Sequence, residues 1–273
     1  MKTEPDWFYK TLEEILRYGI LSPATYWQSQ DVSNKPEMNP VELLHKTLSW
    51  EIDQYIKSAQ YIFNPNLPWA EDHFQERVSG QPLNPPPSEA YWPFARQQNT
   101  EHKEVEGSKF SHTYPERFWP KHARGVMDDF HLGPINVPIQ GIRYDYGDLH
   151  DVVNLLRKNP LTRQAYLPVW FPEDTGATGG QRVPCTLGYQ FLIRGNLAFI
   201  IYHIRSCDAL RHLKDDAYMA ARLLQWVVEK VGLSHVYPHQ LIMYISSLHI
   251  FEGDLPMVRN MLEDYDDFPS AAV

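Results

Sequence analysis

The sequence predicts an α+β fold in which a mixed, largely antiparallel sheet is flanked by helices. Three observations predict it. Two alternating apolar stretches joined by a short turn indicate a hairpin, a strongly amphipathic stretch over 215–231 indicates a long helix, and branched and aromatic residues over 240–251 indicate a further strand. Helices and strands do not follow the regular βαβ order of a parallel sheet. We expect one domain over residues 1–273.

Two helices are predicted near the N-terminus. The first carries Leu12, Ile15 and Leu16 on one face and ends at Gly19. The second begins at Asn39-Pro40, because Asn is a common helix cap and Pro is common in the first turn. Its apolar residues recur at helical spacing and are expected to face the core: Leu43, Leu44, Leu48, Ile52, Tyr55 and Ile56.

Residues 64–142 are predicted to be an irregular insertion region rich in Pro and Trp. Proline runs such as Pro85-Pro86-Pro87, together with Gly and polar clusters, are typical of structure that wraps the surface. The many aromatic residues argue against disorder, although 97–106 is polar enough to be mobile. Residues 120–141 resemble a further insertion to which we assign no role.

The second half of the chain has more regular patterns. Val152, Leu155 and Leu156 predict a helix from Asp148 to Asn159, with Pro160 after its end. The other predicted elements are a strand over Ala165–Trp170, a hairpin of Thr186–Ile193 and Leu197–Ile204 around Gly195-Asn196, a helix over Asp215–Val231 and a strand over Gln240–Phe251.

Composition narrows the classes of function. The chain has 25 Lys and Arg against 34 Asp and Glu, and its net charge of −9 argues against nucleic acid binding, which needs a basic face. Cys185 and Cys207 are too few for a disulfide framework and favour a reducing compartment. No export signal is visible, and no apolar stretch approaches the roughly 20 residues that cross a bilayer. We therefore expect no membrane association and a cytoplasmic protein.

Four groups of chemically active residues lie in the second half of the chain. They are Pro184-Cys185-Thr186, Arg205-Ser206-Cys207-Asp208, Asp216 and Ser247-Leu248-His249. Each has an ordinary structural explanation when taken alone, because a lone Cys is usually a small buried hydrophobe and a His within an apolar strand is usually a core residue. Their combination is more specific than any one of them.

Their order and spacing resemble the thymidylate synthase superfamily. In that family a Pro-Cys supplies the nucleophile, an Arg-Ser-x-Asp follows 20 positions later, and a pyrimidine-reading residue follows 8 positions after its Asp; Cys185, Arg205, Asp208 and Asp216 keep this spacing. Upstream, 159–163 resembles the family's Asn-Pro-x-Ser-Arg, and 244–251 resembles its Gly-x-x-His-x-Tyr strand. The resemblance covers residues 114–262 well, and it implies a thymidylate-synthase-like fold.

Within the superfamily, the sequence resembles the deoxycytidylate hydroxymethylases of phages more closely, which implies a bacterial or phage-infected host cell. Cys185-Thr186 is similar to their Cys-Thr, where synthases usually have Cys-His, and Asp216 stands where they have Asp and synthases have Asn. Glu51, on the predicted second helix, begins a Glu-Ile-Asp-Gln-Tyr run similar to their Glu-Leu-Glu-Trp-Tyr, whose first Glu is catalytic.

The resemblance implies transfer of a one-carbon unit to carbon 5 of a pyrimidine nucleoside monophosphate, with 5,10-methylenetetrahydrofolate as cofactor. Cys185 would add to carbon 6, a step that suits a thiolate because it is strongly nucleophilic and leaves readily. Glu51 would orient the water that captures the exocyclic methylene. The other implied roles are nucleotide binding by Arg205, Ser206, Asp208 and His249, pterin binding by Asp208, base recognition by Asp216, and phosphate binding by Arg163 across a homodimer with shared active sites.

Asp216 favours a cytidylate over a uridylate. A carboxylate accepts from the exocyclic amine of cytosine and repels the O4 of uracil, whereas an Asn suits the O4 and N3–H of uracil. Phe251 stands where the family has a sugar-binding Tyr, which leaves dCMP and CMP both open. The terminal Ala271-Ala272-Val273 resembles the terminus with which synthases close their site, which keeps a methylating enzyme as an alternative.

Two other classes of function fit the sequence less well. A cysteine hydrolase would use Cys185 with one of the 12 histidines, but no nucleophile elbow or Cys-Gly-x-Cys-Trp supports it. A catalytically silent nucleotide-binding protein is the non-enzymatic alternative. No metal site is expected, because no Cys/His cluster has the spacing of metal ligands.

Overall fold

The computed structural model describes residues 4–27, 30–94, 104–106, 109–119, 147–175 and 182–266. The helices are α1 (Asp6–Tyr18), α2 (Ile56–Phe63), α3 (Trp69–Arg77), α4 (Tyr114–Phe118), α5 (Leu149–Lys158), α6 (Pro172–Thr175), α7 (Leu213–Val231) and α8 (Leu255–Asp266). The strands are β1 (Ile20–Leu21), β2 (Tyr26–Trp27), β3 (Gln30–Asp31), β4 (Pro40–Glu51), β5 (Glu104–Glu106), β6 (Lys109–Phe110), β7 (Tyr166–Pro168), β8 (Thr186–Arg194), β9 (Leu197–Asp208) and β10 (Tyr237–Phe251).

The main sheet has six strands in the order β1-β4-β10-β9-β8-β7. Every neighbouring pair is antiparallel except β9 and β10, which run parallel. The predicted α+β class with a mixed, largely antiparallel sheet is therefore confirmed. Because β9 and β10 are parallel, their C-terminal ends meet at one edge, where Ser206 pairs with Ser247 and Asp208 pairs with His249.

The long helix α7 connects β9 to β10 and packs on one face of both strands. Its apolar side chains meet a buried layer of sheet residues that includes Ile200, Ile204, Leu241 and Met243. Gly232 ends the helix with a left-handed backbone, φ 73°, that an L side chain rarely adopts. This packing fixes the first turn of α7 against the edge where β9 and β10 end.

The opposite face of the sheet carries partly exposed side chains. We call it the open face, and it consists of Gln190, Leu192, Phe199, Ile201, His203, Ile242 and Tyr244. Tyr244 is 45% exposed and stacks on His203 with ring centroids 5.5 Å apart. Much of this face is apolar, so covering it would remove hydrophobic surface from water.

The predicted second helix is wrong. Residues 40–51 form β4, which pairs with β10 along its length, and a helix begins only at Ile56. The left-handed backbone of His45, φ 57°, interrupts the side-chain alternation within the strand. An interrupted alternation spaces Leu43, Leu44 and Leu48 as a helix would, which is why the sequence pattern misled.

The other predicted elements are found with small changes of boundary. The first helix ends at Tyr18 before Gly19, and the helix after Asp148 has that Asp as its N-cap. The hairpin of β8 and β9 is present, the strand over 165–170 is shortened to Tyr166–Pro168, α7 begins at Leu213, and β10 begins at Tyr237. No helix in the described ranges is both long and apolar enough to cross a membrane.

The region 64–142 is more regular than predicted where the structure describes it. It contains α3 and α4, and Trp69, Phe74 and Phe118 are buried in the core. The insertion expected over 120–141 lies outside the described residues, as do 97–103 and the terminal Ala271-Ala272-Val273. This region therefore supplies core packing, because its aromatic residues recur on helical faces.

Candidate active site

A cavity of about 200 Å³ lies at the edge where β9 and β10 end together. Both strands contribute to its wall, as do α3, the first turn of α7 and residues 110–114. Cys185, Ser206, Asp208, Asp216 and His249 all line it. The structure thus brings five of the sequence-predicted site residues to one cavity.

Cys185 is the cavity-lining cysteine of the two in the sequence. It directly precedes β8 and is partly accessible, whereas Cys207 lies within β9 and is 2% exposed. Burial raises the pKa of the Cys185 thiol, while the positive charges of Arg205 and Arg182 counteract that rise. The pKa of Cys207 is raised well above its ordinary value by burial, which makes Cys207 the less reactive thiol.

Arg205 holds the segment that presents Cys185. Its Nε donates to the Pro184 carbonyl at 2.9 Å, and its Nη2 donates to the Val183 carbonyl at 3.3 Å. The backbone N–H of Arg205 donates to the Cys185 carbonyl at 2.9 Å. Arg205 therefore positions the nucleophile segment in addition to any contact with a ligand.

Asp208 is part of a buried ionic network. Its carboxylate accepts from the backbone N–H groups of Leu210 at 3.0 Å and Arg211 at 3.1 Å, and from Arg211 Nη1 at 2.9 Å. Arg211 also donates to Asp254 through both terminal nitrogens, at 2.7 and 2.9 Å. Since a carboxylate has about four acceptor sites, Asp208 keeps capacity to accept from a ligand.

Asp216 faces the cavity from the first part of α7. Burial raises its pKa to about 7, Arg77 acts in the opposite direction, and Asp215 adds to the rise. Asp216 does not cap the helix, because α7 begins at Leu213 and His212 is the N-cap residue. Asp215 is fixed differently, since it accepts from the backbone and side-chain N–H groups of Asn66, both at 2.8 Å.

Sequence reasoning missed the cavity-lining face of α3. Trp69, His73 and Arg77 lie four residues apart and all line the cavity. Arg77 is 4% exposed, and its guanidinium carbon lies 4.0 Å from the ring centroid of Tyr114. The i, i+4, i+8 spacing was the available signal, but the prolines nearby made the whole region look irregular.

Three nitrogen atoms of cavity-lining side chains are buried without a hydrogen-bond partner within the described ranges. They belong to Trp69 (Nε1), Arg77 (Nε) and His249 (Nδ1). A buried donor left unpaired costs about 1–3 kcal/mol. The cavity therefore has the polar character expected of a site for a ligand rich in hydrogen-bond acceptors.

Three predicted site residues do not line the cavity: Arg205, whose guanidinium donates to the Pro184 and Val183 carbonyls, Glu51 and Arg163. Glu51 is exposed at the end of β4, where it pairs with Gln240, the neighbour of Phe199 on the open face. The sheet therefore separates Glu51 from α7, and the expectation that a helix would carry it to the site is wrong. Arg163 is also exposed; its carbonyl accepts from Gln190 Nε2 at 3.1 Å, at the border of the open face.

Comparison with known protein families identifies the family that this chain matches. Residues 93–272, more than half of the chain, match the model of the thymidylate synthase family. This chain belongs to the thymidylate synthase family. The matched range includes β8, β9, α7 and β10 with their cavity residues, whereas α3 and Glu51 precede it.

Curated relatives are also members of this family by name. A thymidylate synthase of Fusobacterium nucleatum is 29% identical over 104 residues, 38% of this chain and 36% of that protein. Putative thymidylate synthases of Methanosarcina mazei and Methanosarcina barkeri are 28% identical over 137 residues and 30% identical over 113 residues, covering 46% and 41% of this chain. The matches span 60% and 49% of those two proteins, so each covers less than two thirds of its relative.

Proposed function

We propose that this protein hydroxymethylates carbon 5 of a cytidylate, dCMP or CMP, with 5,10-methylenetetrahydrofolate as the one-carbon donor. The observation that carries the proposal is the carboxyl of Asp216, which lines the same cavity as Cys185. A protonated carboxyl donates to N3 of cytosine and accepts from its 4-amino group, and a pKa of about 7 keeps this form populated at neutral pH. The ionised form accepts only and repels the O4 of uracil.

The chemistry follows from the residues that line the cavity. Cys185 adds to carbon 6 as the thiolate, and the displaced electron pair makes carbon 5 nucleophilic. We assign the phosphate to Ser206, which lines the cavity, and to its neighbour Arg205, which does not, and His249 is a further hydrogen-bonding group toward the nucleotide. Carbon 5 takes up the one-carbon unit and then loses its proton as tetrahydrofolate leaves, which gives the exocyclic methylene. Water adds to this methylene, and Cys185 leaves carbon 6.

The cavity walls carry groups suited to binding a pterin ring as well as a nucleotide. Trp69 and Trp92 line the cavity and offer flat apolar surfaces to a pterin ring, with Trp69 Nε1 as an unpaired donor. Asp208 retains acceptor capacity for the ring's N–H groups. Trp119 instead donates to the Arg77 carbonyl at 2.8 Å, and it packs against Trp226. When bound, the folate supplies the one-carbon unit that carbon 5 receives.

Methylation of thymidylate synthase type is the second candidate. The names of the curated relatives favour it, since all three given above are thymidylate synthases or putative ones. The deciding experiment incubates the protein with methylenetetrahydrofolate and each of CMP, dCMP, UMP and dUMP, followed by mass spectrometry of the product. A hydroxymethyl cytidylate supports our proposal, and a methylated uridylate overturns it.

We further propose that two copies form a dimer through the open face. This face is partly apolar, and Arg163 lies at its border, where a side chain can reach across to a second copy. Arg205 is on the same side of β9 as Ile201 and His203, because side chains alternate along a strand. Arg205 of one copy and Arg163 of the other could then bind one phosphate together.

Hybrid dimers test this shared site. An Arg163→Ala chain and a Cys185→Ser chain should each have little activity, because one lacks a phosphate ligand and the other lacks the nucleophile. Mixing them should restore activity, since a hybrid dimer contains one site with both intact residues. Turnover is measured after subunit exchange has been verified by native mass spectrometry. A mixture with full exchange and no recovered turnover would reject the shared site.

A further inference from the structure

Glu51 does not line the cavity of its own chain, and the attacking water of the proposed reaction needs a base among the residues that do. We propose that His73 is this base and that Glu76 is the residue that positions it. The inference rests on the proposed function, and it assigns a role to a side chain that lines the cavity beside Arg77.

His73 is fixed by contacts on one edge of its ring. Its Nδ1 lies 2.8 Å from Ser88 Oγ and 3.2 Å from Glu76 Oε2. The ring stacks on Trp69, with centroids 5.1 Å apart and planes at 14°. In the described part of the chain, Nε2 has no hydrogen-bond partner, and His73 borders the cavity while Glu76 and Ser88 do not. The free nitrogen is therefore available to a molecule in the cavity.

The hydrogen bonds around Ser88 decide which nitrogen carries the proton. The Ser88 hydroxyl donates its single hydrogen to Glu76 Oε2, and the Ser88 backbone N–H donates to Glu76 Oε1 at 2.7 Å. Ser88 Oγ can then only accept from His73, and the Glu76 carboxylate is an acceptor as well. Nδ1 must be the protonated nitrogen, so that neutral His73 directs the lone pair of Nε2 away from these partners.

Burial and the positive charge of Arg77 keep His73 neutral near pH 7. Burial lowers its pKa below 6.5, and the positive charge of Arg77 lowers it further. Glu76 on the same helix and Glu89 on the neighbouring turn act in the opposite direction, and they do not cancel the effect of burial. A neutral imidazole with a fixed tautomer is the form that accepts a proton.

Five other acidic groups and histidines of the cavity are less suited to the role. Asp208 and Asp215 are engaged by Arg211 and Asn66, and Asp216 is assigned to the base of the nucleotide. Burial lowers the pKa of both His112 and His212 to about 4, which makes them weaker bases. Among the histidines that line the described cavity, His73 is the one whose hydrogen bonds include a carboxylate.

The proposed step balances as follows. The water oxygen forms a bond to the exocyclic methylene carbon, and one water proton moves to His73 Nε2. The electron pair of the exocyclic double bond shifts into the ring to restore the C5–C6 double bond, and the C6–S bond breaks to release the Cys185 thiolate. The products are the hydroxymethyl nucleotide, the thiolate and an imidazolium, which returns its proton to solvent.

The first test uses the full-length protein and the nucleotide that the wild type turns over. His73→Gln should lower kcat by about 10²- to 10⁴-fold, the usual contribution of a general base, with nucleotide affinity in calorimetry changed less than about threefold. Glu76→Gln should lower kcat by about tenfold, as loss of an orienting partner does. His235→Gln, an exposed histidine after α7, is the matched control and should match the wild type.

The pH dependence distinguishes a base from a structural residue. The wild type should lose activity as the pH falls through the pKa of His73, below 6.5, because imidazolium cannot accept a proton. We call this fall in activity at low pH the acidic limb of the profile. Dividing wild-type activity by His73→Gln activity at each pH removes the titration of Cys185, which both proteins share, and the acidic limb should remain in the ratio. Glu76→Gln should move it to lower pH, since the carboxylate stabilises the imidazolium. A His73→Gln variant with unchanged kcat, or a ratio without the limb, would overturn the role.

The second test does not depend on turnover. Nitrogen-15 spectra of histidine-labelled protein, assigned with the His73→Gln variant, should show the Nδ1–H tautomer of His73. The Nε2–H tautomer would refute the inference even if the enzyme hydroxymethylates a cytidylate. A wild type that turns over none of the four nucleotides would instead reject the proposed function, and with it the assigned step.

Discussion

Replacing Cys185 with serine is expected to lower turnover by at least about 10⁴-fold, because loss of a catalytic nucleophile removes the covalent route. A serine hydroxyl is a far weaker nucleophile than a thiolate at neutral pH. Nucleotide affinity should change by less than about threefold, since the phosphate and base contacts remain. Product formation followed by mass spectrometry and binding followed by calorimetry measure the two effects separately.

Cys207→Ser is the matched control for this prediction. Cys207 is 2% exposed within β9, so the variant should retain turnover, with any loss arising from packing. Alkylation by iodoacetamide should label Cys185 before Cys207. Because burial raises the pKa of Cys185, labelling should be slow at neutral pH and should accelerate as the pH rises toward that pKa. If Cys207→Ser were the inactive variant, the assignment of the nucleophile would be wrong.

Replacing Asp216 with asparagine is expected to shift preference from cytidylate toward uridylate by roughly one to two orders of magnitude. The amide has a fixed donor and a fixed acceptor, which suit the O4 and N3–H of uracil. One mismatched buried polar contact costs about 1–3 kcal/mol, which corresponds to this shift. Relative kcat/KM values for the cytidylate and the uridylate measure it directly.

Two further measurements sharpen the Asp216 prediction. If the protonated carboxyl donates to N3 of cytosine, cytidylate turnover should fall as the pH rises through about 7, and the asparagine variant should lack this decline. Asp215→Asn is the matched control: it alters a carboxyl bound to Asn66 and should affect stability without changing base preference. An unchanged preference in Asp216→Asn would reject the cytosine assignment.

The second half of the site could be predicted from sequence because its residues lie in regular elements. Local patterns were sufficient for the hairpin and the helix that follows it, which set the spacings between Cys185, Arg205 and Asp216, and the family resemblance assigned these residues to the site. The parallel pairing of β9 and β10 then brought His249 to the same edge. That contact joins distant parts of the chain and was reached only through the family resemblance.

The first half of the site was not predicted, for two physical reasons. The interrupted alternation at His45 has the spacing of a helix. For this reason the sequence pattern predicted that Glu51 lies on a helix, whereas it lies at the end of strand β4. Helix α3 lies among proline-rich segments. These segments predicted irregular structure, so the helix and the face shared by Trp69, His73 and Arg77 were not recognised. Their relation to Cys185 depends on α3 packing against α7, a contact that no local pattern contains.

The parallel pairing of β9 and β10 has a consequence for how the chain folds. A parallel pair cannot close through a tight turn, so these strands can meet only after the 28-residue stretch between Ala209 and Val236, including α7, has been brought across the sheet. Such non-local contacts form slowly relative to a hairpin. The β8–β9 hairpin, with Cys185 at its start, can therefore form early, whereas His249 joins Asp208 only when the long-range pairing is complete. A refolding chain would regain its secondary structure before its ligand-binding site.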